Sequence, residues 1–530
     1  MRRLLLLPLL SLLPACAAHS PEARRWWDHV SFLADDSLEG RDTGSEGYRK
    51  AADYVAAQLA ALGVKPGAGD TYLQEVELVS RRLVEERTRL ALVKKGQQVP
   101  LELGREAIVS PRVGVPGTVD ASLVFVGHGL HIPEANHNDF DGVDLKGKVA
   151  VFLSGGPSTL PGALLAHYGS SAERAKTLRQ AGAIGFVLLQ NPRHVEVPWS
   201  RTAASRKQAS MQFADASLNE GGGMKLGVTF NPEHSQLLFE GLPVTYKDVV
   251  AAADANEPLP RFDMPARLKA EVDFVTAPVK SSNVVGVLPG SDAALAKEYV
   301  VLSAHLDHVG VGEPVKGDGI YNGAMDNATG VAAVLEVARA LQAVKPKRSV
   351  LFTLVTGEEK GLLGSRYFAA RPTVPPGSMV ANLNLDMFLP LIPFQAVMAL
   401  GQEESTLGAA LQQVATTHGV KLTKDPEPNR MGFVRSDQYS FIREGVPALA
   451  FKFGYEKGSK EEALFKKWRS DHYHAPSDDL SQPLDKEGAA KFVRLLADLA
   501  RAVADAPERP RWNGDSFFRR FEKAAAPAVP

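Results

Sequence analysis

Apolar positions change their spacing twice along the 530 residues. From Arg24 to about Leu62 they recur with a helical period. "RRWWDHVSFLADDSLEG" and "EGYRKAADYVAAQLAALG" each predict helix, with Ala52, Val55, Ala56 and Leu59 on one face of the second and Gly63 stopping it. Gly40 to Gly44 reads as the turn between them. Over residues 105–262 the text breaks into short β-rich runs, "SLVFVGHGL", "KVAVFLSG" and "IGFVLLQNP", parted by Gly, Pro and Asn, with one helix-like stretch, "SAERAKTLRQAGA". From Ser282 to about Ala504 buried-strand runs ("NVVGVL", "YVVLSAH", "SVLFTLVTG", "VANLNLD", "VPALAFK") alternate with loops and helices ("ATGVAAVLEVARALQAV", "KEGAAKFVRLLADLARAVAD"). That alternation predicts an α/β fold: a mixed, largely parallel central sheet with helices on both faces.

The changes of spacing predict a principal α/β domain over residues 17–104 and 263–507. An α+β insertion occupies 105–262, and a charged, proline-rich peripheral tail covers 508–530. Residues 1–16 differ from all of these. Met1-Arg2-Arg3 is a short positive region and Leu4 to Leu13 an apolar run broken by Pro8 and Ser11, well short of the roughly 20 residues that span a bilayer. The run predicts a signal peptide and an exported protein, periplasmic, membrane-anchored or secreted. Leu13-Pro14-Ala15-Cys16 resembles the lipobox of bacterial lipoproteins, which implies lipidation of Cys16 and membrane attachment; Ala15-Cys16-Ala17 also fits ordinary cleavage. Cys16 is the only cysteine, so the domains after it contain no disulfide and rely on core burial.

Composition changes this picture only by exclusion. A formal net charge of −1 leaves no basic surplus to offset phosphates, which argues against a nucleic-acid partner.

Candidate chemistry lies where an open α/β sheet binds ligands, outside the carboxyl ends of its strands. "YVVLSAH" ends at His305, followed by Leu306 and Asp307. "SVLFTLVTG" leads to Glu358-Glu359, and "VANLNLD" ends at Asp386. "GAMDNATG" places Asp326 before a helix, and "DHYHAPSDDL" places Tyr473 and His474 in a loop. Each residue alone has an ordinary explanation: a loop histidine is usually solvated, and an aspartate before a helix is usually an N-cap. Three independent strand ends finishing in metal-competent side chains are another matter. Apolar strands seldom end in paired acids unless something cationic meets them. No G-x-S-x-G elbow is present to suggest a serine hydrolase.

These segments, together with "FLADDSLEGRDTGSEGYRKAADYV", "SSNVVGVLPGSD", "TGEEKGLLGSRYF" and "SDQYSFIREGVPAL", resemble the two-zinc exopeptidase family of bacterial secreted aminopeptidases, plasma glutamate carboxypeptidase and glutamate carboxypeptidase II. "FDGVDLKGKVAVF" and "LRQAGAIGFVLL" resemble a protease-associated domain. The resemblance implies an aminopeptidase acting on peptides with two zinc ions. His305 and Asp386 would hold one ion, Glu359 and His474 the other, and Asp326 would bridge them. Glu358 would be the general base for a hydroxide shared by the metals, with Asp307 orienting His305 and Tyr473 steadying the oxyanion. It also implies a cis peptide after Asp326. Ala475 departs from the threonine of many relatives. His308 and His472 read as structural or peripheral. Carboxypeptidase or dipeptidase activity, with Arg430 and Arg435 as candidate carboxylate grips, stays open. So do a single-zinc glutaminyl cyclase and a receptor-like relative without catalysis.

Overall fold

The computed structural model describes residues 19–523 apart from 196 and 221. Cys16 and the leader lie outside the described residues. Two large sheets organise the chain. The first runs, edge to edge, Ser210–Phe213, Leu73–Leu83, Phe274–Leu288, Ser349–Val355, Tyr299–His305, Met379–Leu385, Ala448–Phe453, Ala396–Leu400 and Lys421–Thr423, with Lys65–Pro66 paired beside Phe274–Leu288. Its centre is parallel, from Ser349–Val355 through Ala448–Phe453. The neighbours on either side of that centre are antiparallel, and the edge pair Ala396–Leu400/Lys421–Thr423 is parallel again.

Helices cover both faces. Pro21–Leu33, Glu46–Ala61, Thr329–Val344 and Lys486–Asp505 bury Trp26, Val55, Leu335 and Leu495 on one side. Leu363–Ala370 and Gln438–Arg443 bury Phe368 and Phe441 on the other. The helix starts follow local chemistry: Ser45 accepts from the Tyr48 amide and Asp485 from the Gly488 amide. Gly40, in the turn before Glu46–Ala61, has φ +66°, and a Cβ there would lie 2.2 Å from the Tyr321 carbonyl oxygen. Only glycine lets this turn close against the hairpin Gly310–Val315/Asp318–Tyr321.

The second sheet has the order Gln97–Leu101, Arg89–Lys94, Arg261–Val272, Gly117–Val126, Val149–Leu153, Gly185–Leu189, Leu226–Phe230 and Ala107–Gly114. Its core (Leu123, Val151, Val187, Phe230) is separate from that of the first sheet. Its strands begin before residue 105 and end after 262. The chain leaves the first sheet along Leu73–Leu83 and returns along Phe274–Leu288, and these two strands pair without a break from Leu83/Phe274 to Leu73/Val284. Ser210–Phe213, from within the second unit, adds itself to the edge of the first sheet. Beyond Pro507 the chain was expected to be peripheral. Instead Trp512 and Phe518 are buried against Val434, Tyr439 and Ile442, because their apolar area finds a ready groove there.

Candidate metal centre

Register alone gathers the first residues of the site. His305 pairs with Val355 across the parallel ladder, so Glu358 and Glu359, a short loop later, sit beside it. Asp386 follows the last residue of Met379–Leu385 on the other flank. Asp326 lies in the kinked segment Ala324–Ala328 that leads into Thr329–Val344, and His474 in the loop after Lys460–Asp471. His305 Nε2 lies 3.1 Å from Asp326 Oδ1 and 3.4 Å from Asp386 Oδ1. His474 Nε2 lies 3.2 Å from Asp326 Oδ2 and 3.0 Å from Glu359 Oε2. The five residues expected to bind metal therefore form two clusters that share Asp326, one oxygen turned to each.

Hydrogen bonding does not explain the second cluster. His474 Nε2 and Glu359 Oε1 are buried and without hydrogen-bond partners, although opposite charges stand at contact distance. Such orphans are rare in native proteins, and a nitrogen lone pair converging with carboxylate oxygens fits a shared cation. The surroundings add to this. Asp307, Asp326, Asp437 and Asp478 are buried around the half-buried Glu358, Glu359 and Asp386. Burial resists the charge on Asp437 and Asp478 and pushes each up to about 7. Burial also opposes charge on His474, but Glu359 and Asp326 override it and lift the imidazole to about 10. The pocket draws positive charge. Burial, with help from Glu359 and Asp386, holds the Glu358 carboxyl well above the usual carboxylate range.

The supports differ in part from expectation. Asp307 meets His305 through its main-chain oxygen, 3.0 Å from Nδ1. Its carboxylate instead accepts from the amides of Glu358 (3.1 Å) and Glu359 (3.4 Å) and from the Thr43 hydroxyl (2.9 Å), and so fixes the two-glutamate loop. Asp478, which sequence reasoning missed, accepts from the amides of Met325 (2.8 Å) and Asp326 (3.0 Å). The peptide between Asp326 and Asn327 is cis, as the resemblance implies. Tyr473 stacks on the His474 ring with centroids 3.9 Å apart.

His308, set aside on the sequence, is fully buried in the site with Nδ1 2.9 Å from Glu359 Oε1 and 3.8 Å from Asp326 Oδ2. Gly323, at φ +61°, lets its ring pack there: a Cβ would lie 2.5 Å from the His308 Cγ. Its place directly after Asp307 was the available signal. His472 stays outside, bonded to Ser477.

Two hollows meet at Tyr473 and Arg435. A cavity of about 110 Å³ is lined by Asp386, Met387, Lys452, Phe453 and Tyr455, with Arg430 also on its wall. A cleft of about 870 Å³ between the two sheets is lined by Glu358, Glu359, His474, Arg112 and Phe274.

Residues 283–500 match the model of peptidase family M28. The chain is 34% identical over 138 residues to a probable zinc metalloprotease of Pyrenophora teres f. teres, covering 26% of this chain and 29% of that protein. It is 26% identical over 236 residues to aminopeptidase Y of Saccharomyces cerevisiae, covering 43% of this chain and 40% of that one. The matches thus span well under half the length of these curated relatives. The solved aminopeptidase from Aneurinibacillus sp. strain AM-1 is similar in fold, with a TM-score of 0.55 at 19% identity, covering 93% of this chain and 98% of that one.

Proposed function

Since residues 283–500 belong to peptidase family M28, we propose that the chain is a zinc-dependent aminopeptidase with two metal ions. The observation that carries this reading is the pair of clusters sharing Asp326, with His474 Nε2 and Glu359 Oε1 of the second buried and outside hydrogen-bond geometry. His305 and Asp386 would hold one zinc, Glu359 and His474 the other, and Asp326 both. When bound, zinc supplies Lewis acidity that acidifies water and polarises a carbonyl.

The remaining work falls to the chain itself. Glu358, with its raised proton affinity, takes the proton of the attacking water and passes it to the leaving amine. Tyr473, held flat against His474, offers its hydroxyl to the oxyanion. Asp307 keeps Glu358 in place through the loop amide. The cavity beside Asp386, with Met387, Phe453 and Tyr455 on its walls, has room for the amino-terminal side chain. Arg435, which lines both hollows, favours a second reading in which a substrate carboxylate is gripped, as in a carboxypeptidase or dipeptidase. The leader supports export, and the text around Cys16 supports lipid attachment. The second sheet is read as a protease-associated domain.

A panel of aminoacyl substrates and carboxyl-blocked peptides tests this, assayed with chelator and then with zinc restored. Aminopeptidase activity should vanish and return; cleavage only from the carboxyl end would favour the second reading. Glu358→Gln should lower kcat by roughly 10²–10⁴-fold with both zinc ions retained. Near-normal turnover in that variant would refute the assignment of the base.

A further inference from the structure

The second sheet and its connections send two arginines into the metal-facing loops of the first. Arg112, on the strand Ala107–Gly114, donates from Nη2 to the main-chain oxygen of Glu359. Arg201, on the helix Trp199–Ala204, donates from Nη1 to the main-chain oxygen of Tyr473 at 2.5 Å and from Nη2 to the main-chain oxygens of Ser470 (2.8 Å) and Asp471 (3.3 Å). Glu359 and His474 stand in the second cluster and not the first, with His308 beside them. Among the described residues, no hydrogen bond runs from residues 89–272 to His305, Asp326 or Asp386.

Both contacts answer a local need. Ser470 and Asp471 close the helix Lys460–Asp471, where carbonyls lack partners within the helix and a cation is favoured. His474 then has φ +51°, a left-handed conformation that a non-glycine residue holds only when its surroundings over-determine it. Three bonds from one planar guanidinium pin that stretch in a way a lysine ammonium cannot copy.

We propose that the second sheet is a working part of the second zinc site. Arg112 and Arg201 are positioning residues that hold the Glu359 and His474 loops at ligand distance from Asp326. The two units then close a single metal centre, and the affinity for one ion depends on a domain that contributes no ligand to it. This rests on the two-zinc reading above.

The test uses the full chain, stripped with a chelator and titrated with zinc alone, as wild type, Arg201→Ala, Arg112→Ala and Arg201→Lys. His474→Ala identifies which of the two binding events belongs to the second site. In both alanine variants that event should weaken roughly 10–100-fold, as loss of a group supporting a ligand usually does, while the other stays within twofold. Arg201→Lys should fall between Arg201→Ala and wild type. kcat should drop with KM little changed, and the thermal midpoint of the stripped protein should hold. The proposal is overturned if both affinities stay at the wild-type value, or if both fall together with the thermal midpoint. A wild-type chain that binds no zinc would instead refute the two-zinc reading, and the proposal with it.

Discussion

Asp478 shows how a side chain outside both clusters can hold one of their members in place. Its carboxylate takes both the Met325 and Asp326 amides inside a buried pocket and also receives the Gln482 amide at 2.9 Å. Asp478→Ala leaves these donors buried without acceptors. It should cost about 2–4 kcal/mol in urea unfolding and weaken zinc uptake, because Asp326 faces both clusters. Unchanged stability and zinc affinity would remove Asp478 from this role. At this scale the sequence was informative in one respect. His305, Glu359 and Asp386 could be read because each stands at a strand mouth, where the parallel sheet must present it. Asp478 and Arg201 left no such trace. They act through main-chain groups or through contacts up to 272 positions away, and neither produces a periodic pattern.

Between elements, charge is placed as deliberately as apolar surface. Helix Thr329–Val344 carries Glu336, buried against Arg25 (3.0 Å) and His29 (3.6 Å) of Pro21–Leu33 and against its own Arg339 (2.9 Å). Burial alone would raise this carboxyl; His29, Arg339 and Arg25 outweigh it and hold it at about 2. A carboxyl depressed on folding adds stability above its unfolded value, roughly 4.3, and loses that stability as pH falls through about 2. Glu336→Gln should therefore cost about 1–3 kcal/mol near neutral pH. The gap to wild type should narrow as pH drops from about 4.3 toward 2. Urea unfolding of both proteins at several pH values measures it, and a pH-independent gap would contradict the ion-pair account. Element types were legible from apolar spacing, but the antiparallel flanks of the sheet were not. Neither was the docking of Trp512 and Phe518, because a short apolar pair in a polar tail does not reveal the groove that receives it.

For the whole molecule, stability and metal are linked. Several carboxylates crowd one buried pocket, so binding cations to the folded state should raise its thermal midpoint by about 5–10 °C. Differential scanning calorimetry after chelation, and again after zinc is restored, reads that shift; equal midpoints would detach the acidic pocket from metal. The two strands that carry the chain out of the first sheet and back remain paired over the whole of Leu73–Leu83, and Ser210–Phe213 pairs beside them. The connection between the halves is thus woven sheet rather than loose tether. Widening the cleft means flexing a continuous hydrogen-bonded ribbon. On the proposed reading, a peptide entering it would meet walls whose spacing is set by strand geometry, and its reach toward Glu358 would be gauged by that frame.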